Sequence, residues 1–162
     1  MEIERKLYDW LANAGRVVIV GIGGTLKGDD GVGVEIVRRL KGKTSEMVCP
    51  LECGTAPESC LGPIRRFRPT HVLMIDAAEL GLQPGSSMLI APNEVKGFPI
   101  STHSLPLGIV AEYLERTTGA KVALLAIQPR QIELGKGLSE EVEKAAELLS
   151  RILLRVLPSG EG

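Results

Sequence analysis

Val17-Val18-Ile19-Val20 places four β-branched residues in a row with nothing polar between them, and no other stretch limits the fold so tightly. Successive side chains of a strand point to opposite faces, so this strand must be covered on both sides. Similar segments are predicted near residues 47–51, 71–75, 87–91 and 121–127. Amphipathic helical patterns lie between most of them. Val32, Ile36, Val37 and Leu40 form one stripe, and Leu105, Ile109, Val110, Tyr113 and Leu114 form another. Val142, Ala145, Leu149, Ile152, Leu153 and Val156 form a third, capped by Ser139 with Glu140 and Glu141 in the first turn. Strands alternating with helices predict an α/β fold, a three-layer αβα domain with a mostly parallel sheet of about five strands. The link through Pro84-Gly85 is too short for a crossover helix, so strand four is expected antiparallel to its predecessor.

The chain reads as one domain over residues 1–162. A helix over 2–12 carries Ile3, Leu7, Trp10 and Leu11 on one side, and the tail over 158–162 reads as frayed. Thr55 and Glu58 are spaced as a capping box, and Gly62-Pro63 should kink or split the helix that follows.

Composition excludes several functions. Of 162 residues 44% are apolar, and Lys plus Arg number 19 against 20 Asp plus Glu. A net charge of −1 and 3% aromatics provide neither a basic footprint nor stacking platforms for nucleic acid. No apolar run approaches the ~18 residues of a membrane span. The N-terminus lacks a signal peptide's apolar segment, so a cytoplasmic protein is expected. Cys49, Cys53 and Cys60, spaced four and seven apart, suggest reduced structural thiols. One core accounts for the apolar helix faces, which favours a monomer.

In open α/β sheets, ligands bind beyond the carboxyl ends of the strands. Asp29 and Asp30 follow strand one, Glu52 follows strand two, Asp76 ends strand three and His103 follows strand four. The glycine-rich loop 21–28 places Leu26 where a dinucleotide fingerprint needs a small residue. The two aspartates beyond it would repel a pyrophosphate. Asp29 reads as the helix N-cap, which leaves Asp30 for chemistry. His71, opening a strand, reads as a surface residue. Asp30, Asp76 and His103 would make an oxygen, oxygen, nitrogen ligand set suited to zinc, nickel or a similar divalent ion, with open positions for a substrate.

Taken in order, the motifs resemble those of the maturation endopeptidases of nickel–iron hydrogenases. They are Gly21-Ile22-Gly23-Gly24-Thr25-Leu26-Lys27-Gly28-Asp29-Asp30-Gly31-Val32-Gly33, Glu52-Cys53-Gly54-Thr55-Ala56-Pro57-Glu58, and Arg68-Pro69-Thr70-His71-Val72-Leu73-Met74-Ile75-Asp76-Ala77. Gly81-Leu82-Gln83-Pro84-Gly85, Ser101-Thr102-His103-Ser104-Leu105-Pro106-Leu107 and Ile127-Gln128-Pro129 continue the series. The likeness spans residues 17–153 and is nearest the branch serving formate-hydrogenlyase-type hydrogenases. Residues 2–12 lie outside it. Two positions depart from the family pattern, Gly24 where Asn is usual and Glu52-Cys53-Gly54 where Asp-Gly-Gly is usual.

The resemblance implies a peptidase, classed in the family as aspartic-type, that removes a C-terminal extension from the precursor of a hydrogenase large subunit. Its nickel would be presented by that substrate, with no tightly held metal of the enzyme's own. Asp30, Asp76 and His103 would meet the nickel, with Glu52 and Asp29 as supporting candidates. Cys53 is the nearest nucleophile candidate, with no residue placed to activate it. Two rival readings are a catalytically silent precursor-binding protein and a receiver-like signalling domain. The second is disfavoured because the acidic pair lies seven residues beyond Ile22 and no lysine precedes Pro129.

Overall fold

The computed structural model describes residues 1–95 and 106–160. It contains five strands: β1 (Val17–Ile22), β2 (Val48–Gly54), β3 (His71–Ala77), β4 (Ser87–Ile90) and β5 (Lys121–Ile127). Six α-helices accompany them: α1 (Glu2–Trp10), α2 (Val32–Leu40), α3 (Leu61–Phe67), α4 (Pro92–Val95), α5 (Leu107–Thr118) and α6 (Glu140–Val156).

The sheet runs in the order β2-β1-β3-β5-β4, with the first four strands parallel. β4 runs opposite to β3, as its short link requires, but pairs antiparallel with β5 at the edge, so β5 inserts between the two. Alternate residues of the central strands supply two separate cores. Val17, Ile19, Leu73, Ile75 and Leu125 face α1, α2 and α6, whereas Val18, Val20, Val72, Met74 and Leu124 face α3 and α5. A continuous apolar run therefore yields three layers.

α2 lies unusually close to the sheet. A Cβ on Gly33 would run into the carbonyl oxygens of Ile75 and Ile22, so glycine is required for this approach. The contact presses the N-terminal end of α2 onto the ends of β1 and β3.

Five local expectations are corrected. The face of α5 is rotated, because Val110 and Leu114 are buried whereas Ile109 and Tyr113 are exposed. Leu105 of the same stripe lies outside the described residues. Residues 57–60 form a 3-10 turn with Ala56 at its N-cap and no side-chain cap bond, so Thr55 does not cap. Leu61 starts a separate helix, with Pro63 tolerated in its first turn. His71 is buried, with the edge of Trp10 against its ring at 5.0 Å between centroids. It sits on the face that α1 covers, a partner that strand periodicity alone does not supply. Cys53 and Cys60 form a disulfide, their Cα atoms 5.9 Å apart. The seven-residue spacing was read as unpaired, but the turn at 57–60 folds it back on itself. Among the described residues no helix is long and apolar enough to cross a membrane.

Candidate functional site

β2 lies on one side of β1 and β3 on the other, so the chain reverses its direction of sheet growth between β1 and β3. A crevice forms at such a switch point, beyond the carboxyl ends of the strands. Asp30 follows β1, and Asp76 lies near the end of β3, so the two carboxylates flank it.

The turn Gly23-Gly24 brings them together. Gly23 has φ +126, and a Cβ there would collide with the Asp30 carbonyl oxygen. Only glycine tolerates both the backbone conformation and the approach. The position that Cβ would occupy is 3.5 Å from Asp76 Oδ1, and the equivalent position on Gly24 is 3.4 Å from Asp30 Oδ2. The Gly24 amide donates to Asp30 Oδ2 at 2.8 Å, and the Gly23 amide donates to the Gly54 carbonyl at 2.8 Å. Gly24 thus holds the loop by its backbone, with no side chain needed. Asp76 is fully buried and Asp30 is 7% exposed. Asp30 also lies in the 3-10 turn Gly28–Gly31 that leads into α2, where the helix dipole favours negative charge.

Asp29 behaves differently from its expected role. It makes no side-chain cap bond to its own helix. Its Oδ2 accepts from the amides of Arg130 at 2.8 Å and Gln131 at 3.1 Å and from the Ser139 hydroxyl at 2.8 Å. Its Oδ1 accepts from the Ser139 amide at 2.7 Å. A fully buried carboxylate thereby ties the loop after β5 to the turn carrying Asp30. Ser139 correspondingly spends its hydroxyl on Asp29 and makes no cap bond to α6.

Glu52 is turned to other work. It pairs with Lys41 at 2.6 Å and Arg38 at 3.0 Å, and these hydrogen bonds hold its carboxyl below the usual value. Cys53 is bonded to Cys60, so it offers no free thiol as a nucleophile. His103 lies outside the described residues. Among the described residues no group of three His, Cys, Asp or Glu side chains is placed to hold a metal ion. The carboxylates of Asp30 and Asp76 are of the kind that could hold a divalent cation.

Gln128 has a part that sequence reasoning noted only as a short signature. Its Oε1 accepts from the Leu80 amide at 2.7 Å, and its Nε2 donates to Glu79 Oε1 at 3.0 Å. It fixes the loop after β3, just beyond Asp76. The sequence offers one signal for it, a polar side chain placed directly after the apolar run 121–127.

Comparison with known proteins places this geometry. The hydrogenase maturation protease family profile matches residues 34–156. The Hydrogenase 3 maturation protease of Escherichia coli is 30% identical over 131 residues, covering 80% of this chain and 83% of that one. The crystal structure of a NiFe hydrogenase maturation protease, HycI, from Thermococcus kodakarensis shares 37% identity. It superposes with a TM-score of 0.88 over 94% of this chain and 98% of that one. The E. coli hydrogenase maturating endopeptidase HybD shares 31% identity with a TM-score of 0.73, covering 90% and 94%.

Proposed function

The chain belongs to the hydrogenase maturation protease family, and from that premise we propose that it removes a C-terminal extension from the nickel-loaded precursor of a NiFe-hydrogenase large subunit. The substrate brings the nickel, and Asp30 and Asp76 meet it from two sides of the β1/β3 crevice. His103 completes the set on the strength of its sequence motif. The observation that carries this reading is the Gly23-Gly24 turn, which lies against two buried carboxylates, one in the turn that follows β1 and one near the end of β3. Two carboxylates leave positions open for the ligands that a partner-borne metal brings with it. Requiring that metal makes loading a checkpoint, since an empty precursor lacks one end of the contact. The reaction adds water across one peptide bond, and the enzyme acts at a soluble precursor in the cytoplasm.

The test is the mass of a cognate precursor before and after incubation, with and without nickel, beside Asp30→Asn. Loss of one discrete C-terminal peptide is expected with the wild type and nickel only. Asp30→Asn should keep the Gly24 hydrogen bond through its amide oxygen, and so keep its fold, while cleavage falls by more than about a hundredfold. Unchanged cleavage by Asp30→Asn would remove that residue from the site. Capture of the precursor without any mass change would favour the silent binding protein.

A further inference from the structure

Two loops of the carboxyl edge join into a projecting lip. Lys27 and Leu134 form an antiparallel bridge, the Gly135 amide donates to the Leu26 carbonyl at 2.8 Å, and the Gly28 amide donates to the Lys136 carbonyl at 3.1 Å. Leu26 is 73% exposed, Leu134 77% and Ile132 44%. Side chains facing each other across an antiparallel bridge share a face, so Leu134 lies with Lys27, and Leu26 stands exposed in the turn just before the bridge. Single exposed apolar residues are ordinary, but three on one small joined pair of loops mark a contact surface.

The lip is mounted rigidly. The four hydrogen bonds to Asp29 hold its second loop at Arg130, Gln131 and Ser139. Its first loop is continuous with the site, because Lys27 donates to the Gly24 carbonyl, and Gly24 in turn donates to Asp30 Oδ2. A partner that reaches Asp30 arrives beside this rim, since the Asp30 amide donates to the Lys27 carbonyl.

We infer that the lip inserts into an apolar cleft of the hydrogenase large-subunit precursor, beside the metal that the precursor presents. The inference rests on the processing role proposed above. A projecting rim with exposed apolar side chains is covered more completely by a cleft than by a flat surface. Asp29 is then a positioning residue that holds the docking lip in register with the metal-facing carboxylate next to it.

The test uses purified nickel-loaded precursor with wild type, Leu26→Ser, Leu134→Ser, the double variant and a control, Tyr8→Ser, which alters another well-exposed large side chain, on α1. Precursor Kd is read by interferometry, and kcat and KM by cleavage. For the double variant, Kd and KM are expected to rise about tenfold or more, with a smaller change in kcat. Tyr8→Ser should stay within about twofold of wild type, and all melting temperatures should agree, since the altered residues are exposed. Wild-type affinity in the double variant overturns the inference. So does a wild-type dimer in sedimentation that the double variant dissolves without losing precursor affinity. If the wild type binds the precursor without cleaving it, the processing role fails while the affinities still decide the lip. If it neither binds nor cleaves, both fall.

Discussion

His71 and Asp76 are five residues apart on the central strand β3, one toward the amino and one toward the carboxyl ends of the parallel strands, and both are buried. On its Nδ1 side His71 meets neighbours that are themselves structural, whereas its buried Nε2 makes no hydrogen bond among the described residues. The Thr70 hydroxyl lies 2.9 Å from His71 Nδ1 and donates to the Arg16 carbonyl, and the Gly15 amide donates to the same hydroxyl. Arg16 in turn donates from Nε to the Phe67 carbonyl and sets its guanidinium 4.0 Å over the Phe67 ring. Beside Asp76 lies the Gly23-Gly24 turn, which also holds Asp30, and the same loop goes on to the exposed Leu26. The amino edge is a seam, and the carboxyl edge is an opening. Parallel strands impose this difference, because helix N-termini and glycine turns gather where strands end.

The sharpest way to break the comparison is to remove the one carboxylate at the open edge that behaves like the seam. Asp29→Ala takes the acceptor from three backbone amides and a hydroxyl in a buried position. It is expected to cost about 3 to 5 kcal/mol, chiefly from the donors left unsatisfied. For a domain of this size that lowers the melting temperature by roughly 10 °C. Calorimetry of Asp29→Ala beside Asp30→Asn measures it, and equal melting temperatures would show that the adjacent aspartates do the same job.

That contrast also marks how far the sequence could be read. The β-branched run at Val17–Val20 and its counterparts gave the layers and the parallel strands, because a strand buried twice leaves one architecture. The residues Asp30 and Asp76 were legible as a pair because both follow strand ends. Asp29 was not, since a capping aspartate and one that anchors a loop a hundred residues away look identical in a linear chain. His71 was misread because Trp10, which covers it, comes from a helix outside the motif region. Glu52 kept the expected position in its motif, but the basic side chains that engage it, Arg38 and Lys41, lie on and just beyond another element. Pairings across distance, unlike periodicity, leave no local mark.

A smaller effect sharpens the comparison from the side of β2. The Cys53–Cys60 bond closes a short loop beside Gly54, whose carbonyl holds the Gly23 amide. The loop-entropy relation for so short a closure gives about 2 kcal/mol of stabilisation. Reduction, or the double substitution Cys53→Ser/Cys60→Ser, should lower stability by that amount in denaturant titration, and the two should agree. Cys49, nearer the amino edge, is a poor nucleophile because burial pushes its thiol pKa up. A thiol count of one before reduction and three after is therefore expected in denaturant, and three before reduction would dispose of the bond.

The smallest expected effect belongs to the amino edge and depends on pH. Burial lowers the pKa of His71, with the Lys121 charge acting in the same direction. The folded protein therefore binds a proton there less readily than the unfolded chain does. Above the unfolded value near 6.5 both states leave the ring neutral, and His71 costs nothing. As pH falls through that value, the unfolded chain takes up the proton first, and stability declines until the folded pKa is passed. Carboxylates also lose stability in acid, so the measurement is a difference. Unfolding free energy is compared between pH 8 and pH 5 for the wild type and for His71→Asn, which removes the titration. The wild type should fall more steeply between pH 7 and pH 5, and parallel curves would mean that the seam tolerates a charged ring. That outcome would also dissolve the contrast between the two edges, since a seam that admits charge is no longer closed.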